Sequence, residues 1–388
     1  MLKLAFYYCN YTTLGHSNGA FSLVKGLKNY FKDKIERVVI ESGVRQTKVF
    51  DFHKYAKFYF SPLTERGKDD YNPHSTIDRL AKARFLLLKE ILDSFKPDVF
   101  VTEYYPFCRS LVYSGFPALL KYIKDKYNSK IVSSSSCLNW AENSYQLIND
   151  FYDSILFHFP KEFALGISKH LPEKGAQVIN KILQDFSKKV FFTGFLFDKE
   201  KNVISKKTIA NKLRLKNRKL IIVSRGGQDR FKQMILSALA IAKNNKNWFF
   251  LISTGPGVTK DEFYKYQRIS ERIDNTKVVK LIYPHFEDYL KASDLSINMG
   301  GYHTLLRLVH FNKPTIIIPL ENTDQPHNAD FFSKFIPCTV VKKEKLKPHL
   351  LEPLIRESLR PRKTINKPTI KGWFKGSLLA AKAIENLV

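Results

Sequence analysis

Short apolar runs alternate with longer amphipathic segments along the whole chain. The first apolar run, 2–8, is followed by polar residues and then by Ala20, Leu23, Val24 and Leu27 at helical spacing. A strand, a polar loop and a helix in this order open a doubly wound α/β domain, and short strands between helices indicate a parallel sheet. Further strands of this half are predicted at 37–41, 57–60, 97–103, 130–135, 156–159 and 190–193, with an amphipathic helix at 80–95.

The second half of the chain repeats this alternation. The polar stretch 198–219 separates the two halves and is interpreted as a linker with a first exposed segment. We therefore expect an α/β domain at 1–197, a second at 198–368, and a segment at 369–388 with an amphipathic helix from Gly372. The second domain has predicted strands at 219–224, 248–253, 277–282, 294–298 and 313–320, and predicted helices around Met234, at 287–292 and from Ala329.

The chain is strongly basic, with 64 Lys and Arg against 36 Asp and Glu and a net charge of +28 over 388 residues. Three interpretations stay open: a Lys-rich composition without functional meaning, a basic face for anionic lipid or a phosphate-bearing substrate, and nucleic-acid binding. The charges are spread along the chain, and no zinc-ligand spacing, leucine zipper or aromatic RNA-binding signature accompanies them. Nucleic acid therefore ranks last, and no nucleic-acid partner is expected.

Cysteine usage and hydropathy point to the compartment. Cys9, Cys108, Cys137 and Cys338 are far apart in the sequence, which predicts neither a disulfide framework nor a zinc site and fits a reducing cytoplasm. No apolar run approaches the roughly 18 residues of a spanning helix, and the first run is too short for a signal peptide. We expect a cytoplasmic protein with at most peripheral membrane contact.

Two residues of the first half are candidates for acid–base chemistry. His16 lies in the predicted loop after the first strand, where a neutral imidazole could take a proton; the alternative is a histidine that caps the helix. Glu103 ends a predicted strand and could orient or deprotonate a hydroxyl; the alternative is a surface ion pair. Gly15 and Asn18 of the same loop, and Arg109, are candidates for acceptor contacts, although a solvated arginine is the common outcome.

Glycines follow two predicted strands of the second half. Arg225 and Gly226 come after the first of these strands, and the run 298–332, NMGGYHTLLRLVHFNKPTIIIPLENTDQPHNADFF, contains a Gly-Gly pair between a strand and a helix. Glycines at such a turn let backbone N–H groups approach a phosphate. Neither a P-loop nor a GxGxxG pattern is present, and a bare Gly-Gly is a weak signal.

The run 298–332 resembles the donor-binding region of GT-B glycosyltransferases. It is similar to the lipid-intermediate N-acetylglucosaminyltransferase family of peptidoglycan synthesis, and closer still to predicted glycosyltransferases that share PDVFVTEYYPF, residues 97–107 here. The upstream YPHFEDYLKASDL, 283–295, resembles the segment before the motif in those families. The resemblance implies two Rossmann-like domains facing across a cleft, with the donor in the second and the acceptor in the first. It also implies a last helix that packs back on the first domain; a membrane-surface helix is the alternative.

The same resemblance implies residue roles. It places Gly300, Gly301 and Thr304 against the donor diphosphate, and Asp324 and Gln325 against the sugar hydroxyls. The remaining donor contacts it suggests are Asn328 near the sugar or phosphate, and Phe286 and Tyr283 near the base, with core packing the favoured alternative for Tyr283. Four further candidates for the nucleotide come from their own positions in the sequence and not from the resemblance: Arg225, Gly226, His303 and Arg307.

Arg307 departs from the family pattern. Relatives usually carry Glu at this position, three residues after the motif threonine, where it accepts hydrogen bonds from the ribose. Arginine has donors only, and His303 lies four residues before Arg307 on the same helix face. That face suits a phosphate or carboxylate, so we hypothesise altered nucleotide handling or an anionic donor.

These inferences together predict a glycosyltransferase. We expect transfer from a nucleotide sugar, a UDP-sugar, to an acceptor hydroxyl, with inversion and with no metal or other cofactor. His16 is the candidate base and Glu103 the second. A membrane lipid or cell-envelope glycan is the expected acceptor, at the inner face of the membrane. The alternatives are a non-hydrolysing sugar-nucleotide 2-epimerase, which shares the fold, and a basic protein that binds nucleic acid or membrane.

Overall fold

A computed structural model of the chain describes residues 1–10, 14–43, 49–62, 73–107, 115–136, 143–197, 204–225, 232–255, 257–282, 285–321, 323–360 and 371–388. The chain divides into two compact units. The N-terminal unit comprises residues 1–198 together with 369–388, and the C-terminal unit comprises residues 199–368.

The N-terminal unit is built on a parallel sheet, which has seven strands within the described residues. The strands lie in the order β3-β2-β1-β4-β5-β6-β7. They are β1 (Leu2–Asn10), β2 (Ile35–Gly43), β3 (Lys57–Pro62), β4 (Val99–Glu103), β5 (Lys130–Ser135), β6 (Ser154–Phe157) and β7 (Val190–Phe192), and the helices between them are α1 (Leu14–Phe31), α2 (Pro73–Phe95), α3 (Phe116–Tyr127), α4 (Ser144–Phe151), α5 (Lys161–Ile167) and α6 (Glu173–Asp185).

The C-terminal unit repeats the same plan with six parallel strands among the residues described. Their order is β10-β9-β8-β11-β12-β13. The strands are β8 (Lys219–Ser224), β9 (Trp248–Ser253), β10 (Thr276–Val279), β11 (Leu295–Asn298), β12 (Thr315–Ile317) and β13 (Cys338–Val340), and the helices are α7 (Lys206–Leu213), α8 (Lys232–Asn244), α9 (Lys260–Glu271), α10 (Phe286–Ala292), α11 (Tyr302–Phe311), α12 (Gln325–Phe332) and α13 (Pro348–Ser358).

Both sheets have a topological switch point. The chain runs outward in one direction from β1 to β3 and returns on the other side of β1 with β4; β8 and β11 have the same relation in the C-terminal unit. Loops at the carboxyl ends of two such neighbouring strands diverge and leave a crevice, where ligands of doubly wound domains bind. The structure therefore confirms the predicted pair of parallel-sheet α/β domains.

Burial on both faces explains the continuous apolar strands. In β1, residues Leu4 to Tyr8 are all fully buried, and Leu4, Phe6 and Tyr8 pack with Leu23 and Leu27 of α1. A parallel sheet covered by helices on both faces needs such runs rather than an alternation of polar and apolar residues. Apolar runs also extend beyond strand ends: Ile318 is fully buried although β12 ends at Ile317. This is why the strand predicted at 313–320 is too long.

Three further predicted boundaries also differ from the structure. The stretch interpreted as a linker contains α7, because Ser205 caps its first turn and Ile209 and Leu213 are buried. Helix α1 begins at Leu14, so the residues assigned to the preceding loop, Gly15 to Asn18, are helical; Ser17 extends the buried face of Ala20 and Val24 backward. Helix α12 begins at Gln325 rather than at Ala329.

The last segment packs on the N-terminal unit. Helix α14 (Gly376–Glu385) lies against α1, where Gly26 is so close to Ser377 that a Cβ at position 26 would lie 2.3 Å from the Ser377 Cβ. Upstream, Phe195 N donates to Trp373 O and Gly376 N donates to Phe195 O over 3.1 Å. No helix in the described ranges combines the length and apolarity that a membrane span requires.

A buried histidine connects three strand ends of the N-terminal unit. His158, which follows β6, is 1% exposed; its Nε2 lies 2.8 Å from Ser134 Oγ of β5, and its Nδ1 lies 2.9 Å from Thr193 Oγ1 after β7. Burial lowers the pKa of His158 from 6.5 to about 3, so the ring stays neutral in the folded protein.

This histidine predicts an acid-sensitive stability. Below pH 6.5 the unfolded chain binds a proton at residue 158 and the folded chain does not, down to about pH 3. The free energy of unfolding should therefore fall by about 1.4 kcal/mol for each pH unit below 6.5 on account of this group. Urea unfolding between about pH 6.5 and 5 should show that the free energy of unfolding falls less steeply with decreasing pH in His158→Gln than in wild type, by that amount. The exposed His53→Gln is the control and should keep the wild-type slope; equal slopes in all three proteins would refute the assignment.

Candidate active site

His16 and Glu103 meet at the switch point of the N-terminal unit. His16 is in the first turn of α1, directly after β1, and Glu103 is the last residue of the neighbouring strand β4. His16 Nδ1 lies 3.0 Å from both Oε1 and Oε2 of Glu103. The Glu103 side chain is 6% exposed and that of His16 is 30% exposed. Glu103 is therefore a buried partner of His16 rather than a member of a surface ion pair.

The hydrogen bond sets the tautomer of His16. An ionised carboxylate only accepts, so Nδ1 of a neutral His16 must carry the proton that it donates to Glu103. The proton-accepting nitrogen is then Nε2. A carboxylate behind the ring also stabilises the imidazolium that forms when Nε2 takes a proton. The pair thus has the arrangement of a general base with an orienting carboxylate.

Buried hydroxyls fix the backbone just after Glu103. Tyr104 adopts a left-handed conformation, with φ 67°, and its ring centroid lies 5.1 Å from that of His16. The carbonyl of the next residue, Tyr105, accepts hydrogen bonds from Thr102 Oγ1, Ser133 Oγ and Tyr152 Oη over 3.0, 2.9 and 3.2 Å. A non-glycine residue with positive φ costs free energy, which these hydrogen bonds offset. Sequence analysis missed these residues; polar positions inside buried strands were the available signal.

A second buried carboxylate lies on β2, on the opposite side of β1 from Glu103. Glu41, near the end of β2, is fully buried and accepts a hydrogen bond from Asn10 Nδ2 over 3.2 Å. Burial, and after it the neighbouring Glu41, raises the pKa of Tyr8 far above its usual value. Gly15 and Asn18 are half-buried in the first turn of α1. Arg109 lies outside the described residues.

A glycine in the left-handed conformation forms the turn between β11 and α11 in the C-terminal unit. Gly300 has φ +78°, and a Cβ there would lie 2.9 Å from Ile317 Cγ2 and 3.4 Å from the Gln325 carbonyl oxygen. Its N–H donates to Asn298 Oδ1 over 2.9 Å, and its carbonyl accepts from Asn328 Nδ2 over 3.2 Å. A side chain at position 300 would therefore be disfavoured. The hydrogen bonds from Asn328 and to Asn298 hold both peptide groups of Gly300 in place.

Gly301 differs from Gly300 in what surrounds it. It precedes α11 with φ −62°, and a Cβ there would have no heavy atom within 4 Å beyond its chain neighbours. Packing within the described chain does not require glycine at 301. The missing side chain leaves open space beside the N-terminus of a ten-residue helix, where N–H groups and the helix dipole favour an anion.

The predicted sugar-contact residues mainly hold the turn itself. Gln325 Oε1 accepts from Leu320 N over 2.9 Å. The side-chain amide of Asn328 donates to Asp324 Oδ2 over 2.9 Å as well as to Gly300, and Asn328 is 1% exposed. Asp324 and Gln325 are half-buried at the start of α12. Asn298, which sequence analysis did not select, completes the support with hydrogen bonds to Ser296 Oγ and Thr315 Oγ1.

Helix α11 is amphipathic, with its polar face on the side away from the core. Tyr302, Leu305, Leu306 and Val309 are buried, whereas His303, Thr304 and Arg307 are half-buried on the other face. Arg307 Nε donates to Glu287 Oε1 over 2.7 Å, and Arg307 Nη1 donates to the His303 carbonyl over 2.9 Å. The charge of Arg307 is thus compensated within the chain, which the sequence did not suggest.

The other predicted donor residues belong to other segments of the C-terminal unit. Arg225, directly after β8, is 1% exposed. Lys232, and less strongly Arg225, lowers the pKa of Glu262 in the first turn of α9. Phe286 is half-buried at the start of α10. Gly226 and Tyr283 lie outside the described residues.

The same substitution should have different effects on stability at the two glycines of the turn. Gly300→Ala should lower the free energy of unfolding by about 2 kcal/mol, because it adds a Cβ to a left-handed residue and brings it against Ile317. Gly301→Ala should change it by less than about 0.5 kcal/mol. Urea unfolding of both variants checks this difference, and equal destabilisation would contradict the assigned geometry.

Comparison with protein families identifies the C-terminal part of the chain. Residues 198–384 match the model of the glycosyltransferase family 28 C-terminal domain. The chain is also 30% identical over 199 residues to the UDP-N-acetylglucosamine–N-acetylmuramyl-(pentapeptide) pyrophosphoryl-undecaprenol N-acetylglucosamine transferase of Clostridioides difficile (strain 630). That alignment covers 46% of this chain and 47% of the relative, so this chain matches just under half of the relative's length.

Solved structures match almost the whole chain. UGT71G1 of Medicago truncatula, complexed with UDP-glucose, has a TM-score of 0.65 at 11% identity, covering 99% of this chain and 98% of that one. The UDP-GlcNAc 2-epimerase of Neisseria meningitidis has a TM-score of 0.62 at 12% identity, covering 99% and 100%. At this identity the likeness shows the fold alone, which transferases and epimerases share. This protein has the GT-B fold, matches the glycosyltransferase family 28 C-terminal domain over residues 198–384, and is similar to the undecaprenol-linked N-acetylglucosamine transferases.

Proposed function

We propose that this protein is an inverting glycosyltransferase that moves a sugar from a UDP-sugar to an acceptor hydroxyl. The C-terminal unit holds the donor, and the N-terminal unit supplies the base. The observation that carries the proposal is the Gly300–Gly301 turn, which lies at the switch point of the unit that matches the family 28 C-terminal domain.

The turn suits a diphosphate. Gly300 is held by Asn298 and Asn328, so the following N–H groups of α11 are ordered before a ligand arrives. Gly301 leaves the approach to them open. In this proposal these N–H groups and the helix dipole neutralise the leaving diphosphate without a metal ion.

His16 and Glu103 suit the deprotonation of an acceptor. As the acceptor oxygen forms its bond to the anomeric carbon, its proton passes to His16 Nε2, and the bond between the anomeric carbon and the diphosphate oxygen breaks to release UDP. Glu103 holds the ring through Nδ1 and stabilises the imidazolium. A single displacement of this kind inverts the anomeric configuration.

The acceptor in this proposal is a lipid-linked or cell-envelope glycan. The similar Clostridioides difficile transferase is named for a pyrophosphoryl-undecaprenol acceptor. The net charge of +28 would favour approach to such a pyrophosphate and to an anionic membrane surface. The expected place of action is the cytoplasmic face of the membrane.

Substitution of the proposed base tests the mechanism. His16→Ala should lower kcat by about 10²- to 10⁴-fold, because it removes proton transfer in the transition state, and should leave UDP affinity within about twofold. Glu103→Gln should lower kcat less. The assay would measure UDP release from UDP-N-acetylglucosamine or UDP-glucose with a short-chain polyprenyl-pyrophosphoryl glycan as acceptor.

Two controls separate this reaction from its alternatives. His53→Ala removes an exposed histidine of the same unit and should keep the wild-type kcat. Donor without acceptor should stay unchanged, since an epimerase would convert it and a transferase would not. Full kcat in His16→Ala would remove His16 from the mechanism, and conversion of the donor alone would favour the epimerase.

A further inference from the structure

We propose that Glu287 recognises the ribose of the donor nucleotide and that Arg307 positions its carboxylate. This inference rests on the proposed function, because it assigns a further residue to the same donor site. It makes Glu287 a specificity-determining residue and Arg307 a positioning residue rather than a contact for an anionic group.

The two side chains form a well-defined ion pair. Arg307 Nε donates to Glu287 Oε1 over 2.7 Å, and the side chains are 15% and 10% exposed. Arg307 Nη1 also donates to the His303 carbonyl, one turn earlier on α11. Two separate bonds therefore fix the guanidinium, and the guanidinium in turn fixes the carboxylate of Glu287.

The position of the pair suits a nucleotide bound at the glycine turn. Arg307 is six residues beyond Gly301, about 9 Å along the axis of α11. Helix α10, which carries Glu287 in its first turn, packs against α11. Both residues therefore lie within reach of a nucleotide whose diphosphate binds at the glycine turn.

The hydrogen-bonding groups of the two side chains determine which of them can bind a ribose. The two adjacent hydroxyls of ribose donate protons, and a guanidinium cannot accept them. A carboxylate accepts at two oxygens with about four lone-pair sites, so accepting from Arg307 Nε does not prevent it from also accepting from a ribose hydroxyl. In nucleotide-binding α/β domains, an acidic side chain near the switch point accepts hydrogen bonds from ribose hydroxyls. Glu287 has this chemistry, although it belongs to α10 and precedes the glycine turn.

The pair also argues against direct recognition of an anion by Arg307. A phosphate or a sugar carboxylate at Arg307 would compete with Glu287 and would bring two like charges together in a poorly solvated place. Arg307 therefore acts on the ligand through Glu287.

Nucleotides with and without the 2′-hydroxyl test the inference. Calorimetric titration of wild type should show UDP binding about tenfold more tightly than 2′-deoxy-UDP, the loss expected for one hydrogen bond to a charged group. In Glu287→Gln the ratio should fall to about twofold or less, because the charged acceptor is gone. The double variant Glu287→Gln with Arg307→Gln leaves no unpaired charge, so it gives the same test if the single variant folds poorly. Glu352→Gln is the matched control, since Glu352 pairs with Arg356 in the same unit, and it should keep the wild-type ratio.

The outcomes separate this inference from the proposed function. UDP binding with an unchanged ratio in both Glu287 variants would overturn the role of Glu287 and leave the donor site standing. An equal loss of affinity for both nucleotides would mean a structural role only and would also overturn it. If Arg307→Gln weakened UDP-glucuronic acid much more than UDP-glucose, Arg307 would be an anion contact and its positioning role would fall. Wild type that binds neither nucleotide would overturn the proposed function together with this inference.

Discussion

The reversal of strand order beside the first strand of each sheet is the constraint on which both sites depend. The strands of the described residues run parallel, so each ends at the same edge of its sheet, and among them successive loops diverge beside β1 and β8. In the N-terminal unit this places the start of α1 next to the end of β4, which joins His16 to Glu103. In the C-terminal unit it places the Gly300–Gly301 turn beside Arg225, because β11 and β8 are paired at Asn298 and Ser224.

Buried polar side chains then make these loops rigid. Asn298 and Asn328 hold the two peptide groups of Gly300, and three hydroxyls hold the Tyr105 carbonyl behind Glu103. Each of these groups would cost free energy if it were buried without a partner, so the hydrogen bonds select one loop conformation. Preorganised loops of this kind lose little entropy when a ligand binds, which is what a diphosphate site and a general base both require.

The sequence predicts the sheets well because burial on both faces leaves an unmistakable pattern. The run 130–135 is a strand with the predicted bounds, and 219–224 and 248–253 are as well. Polar stretches are harder to predict: α7 depends on two buried apolar residues and a serine cap within a charged segment, and α1 begins with small polar residues that pack as well as apolar ones. The proximity of His16 and Glu103, 87 residues apart, follows from topology and not from any local pattern. The pairing of Arg307 with Glu287 likewise comes from the packing of two helices.

The central claim is that the Gly300–Gly301 turn binds the diphosphate of a nucleotide sugar. The most direct measurement is the thermal unfolding of wild type and Gly301→Val with and without UDP, since a ligand that binds the native state raises Tm. Position 301 has room for a larger side chain within the described chain, so both proteins should unfold at nearly the same Tm without ligand. UDP should raise the Tm of wild type and leave that of Gly301→Val unchanged. An equal rise in both proteins would contradict the account, because a valine at 301 would occupy the proposed diphosphate site and should prevent UDP from binding there.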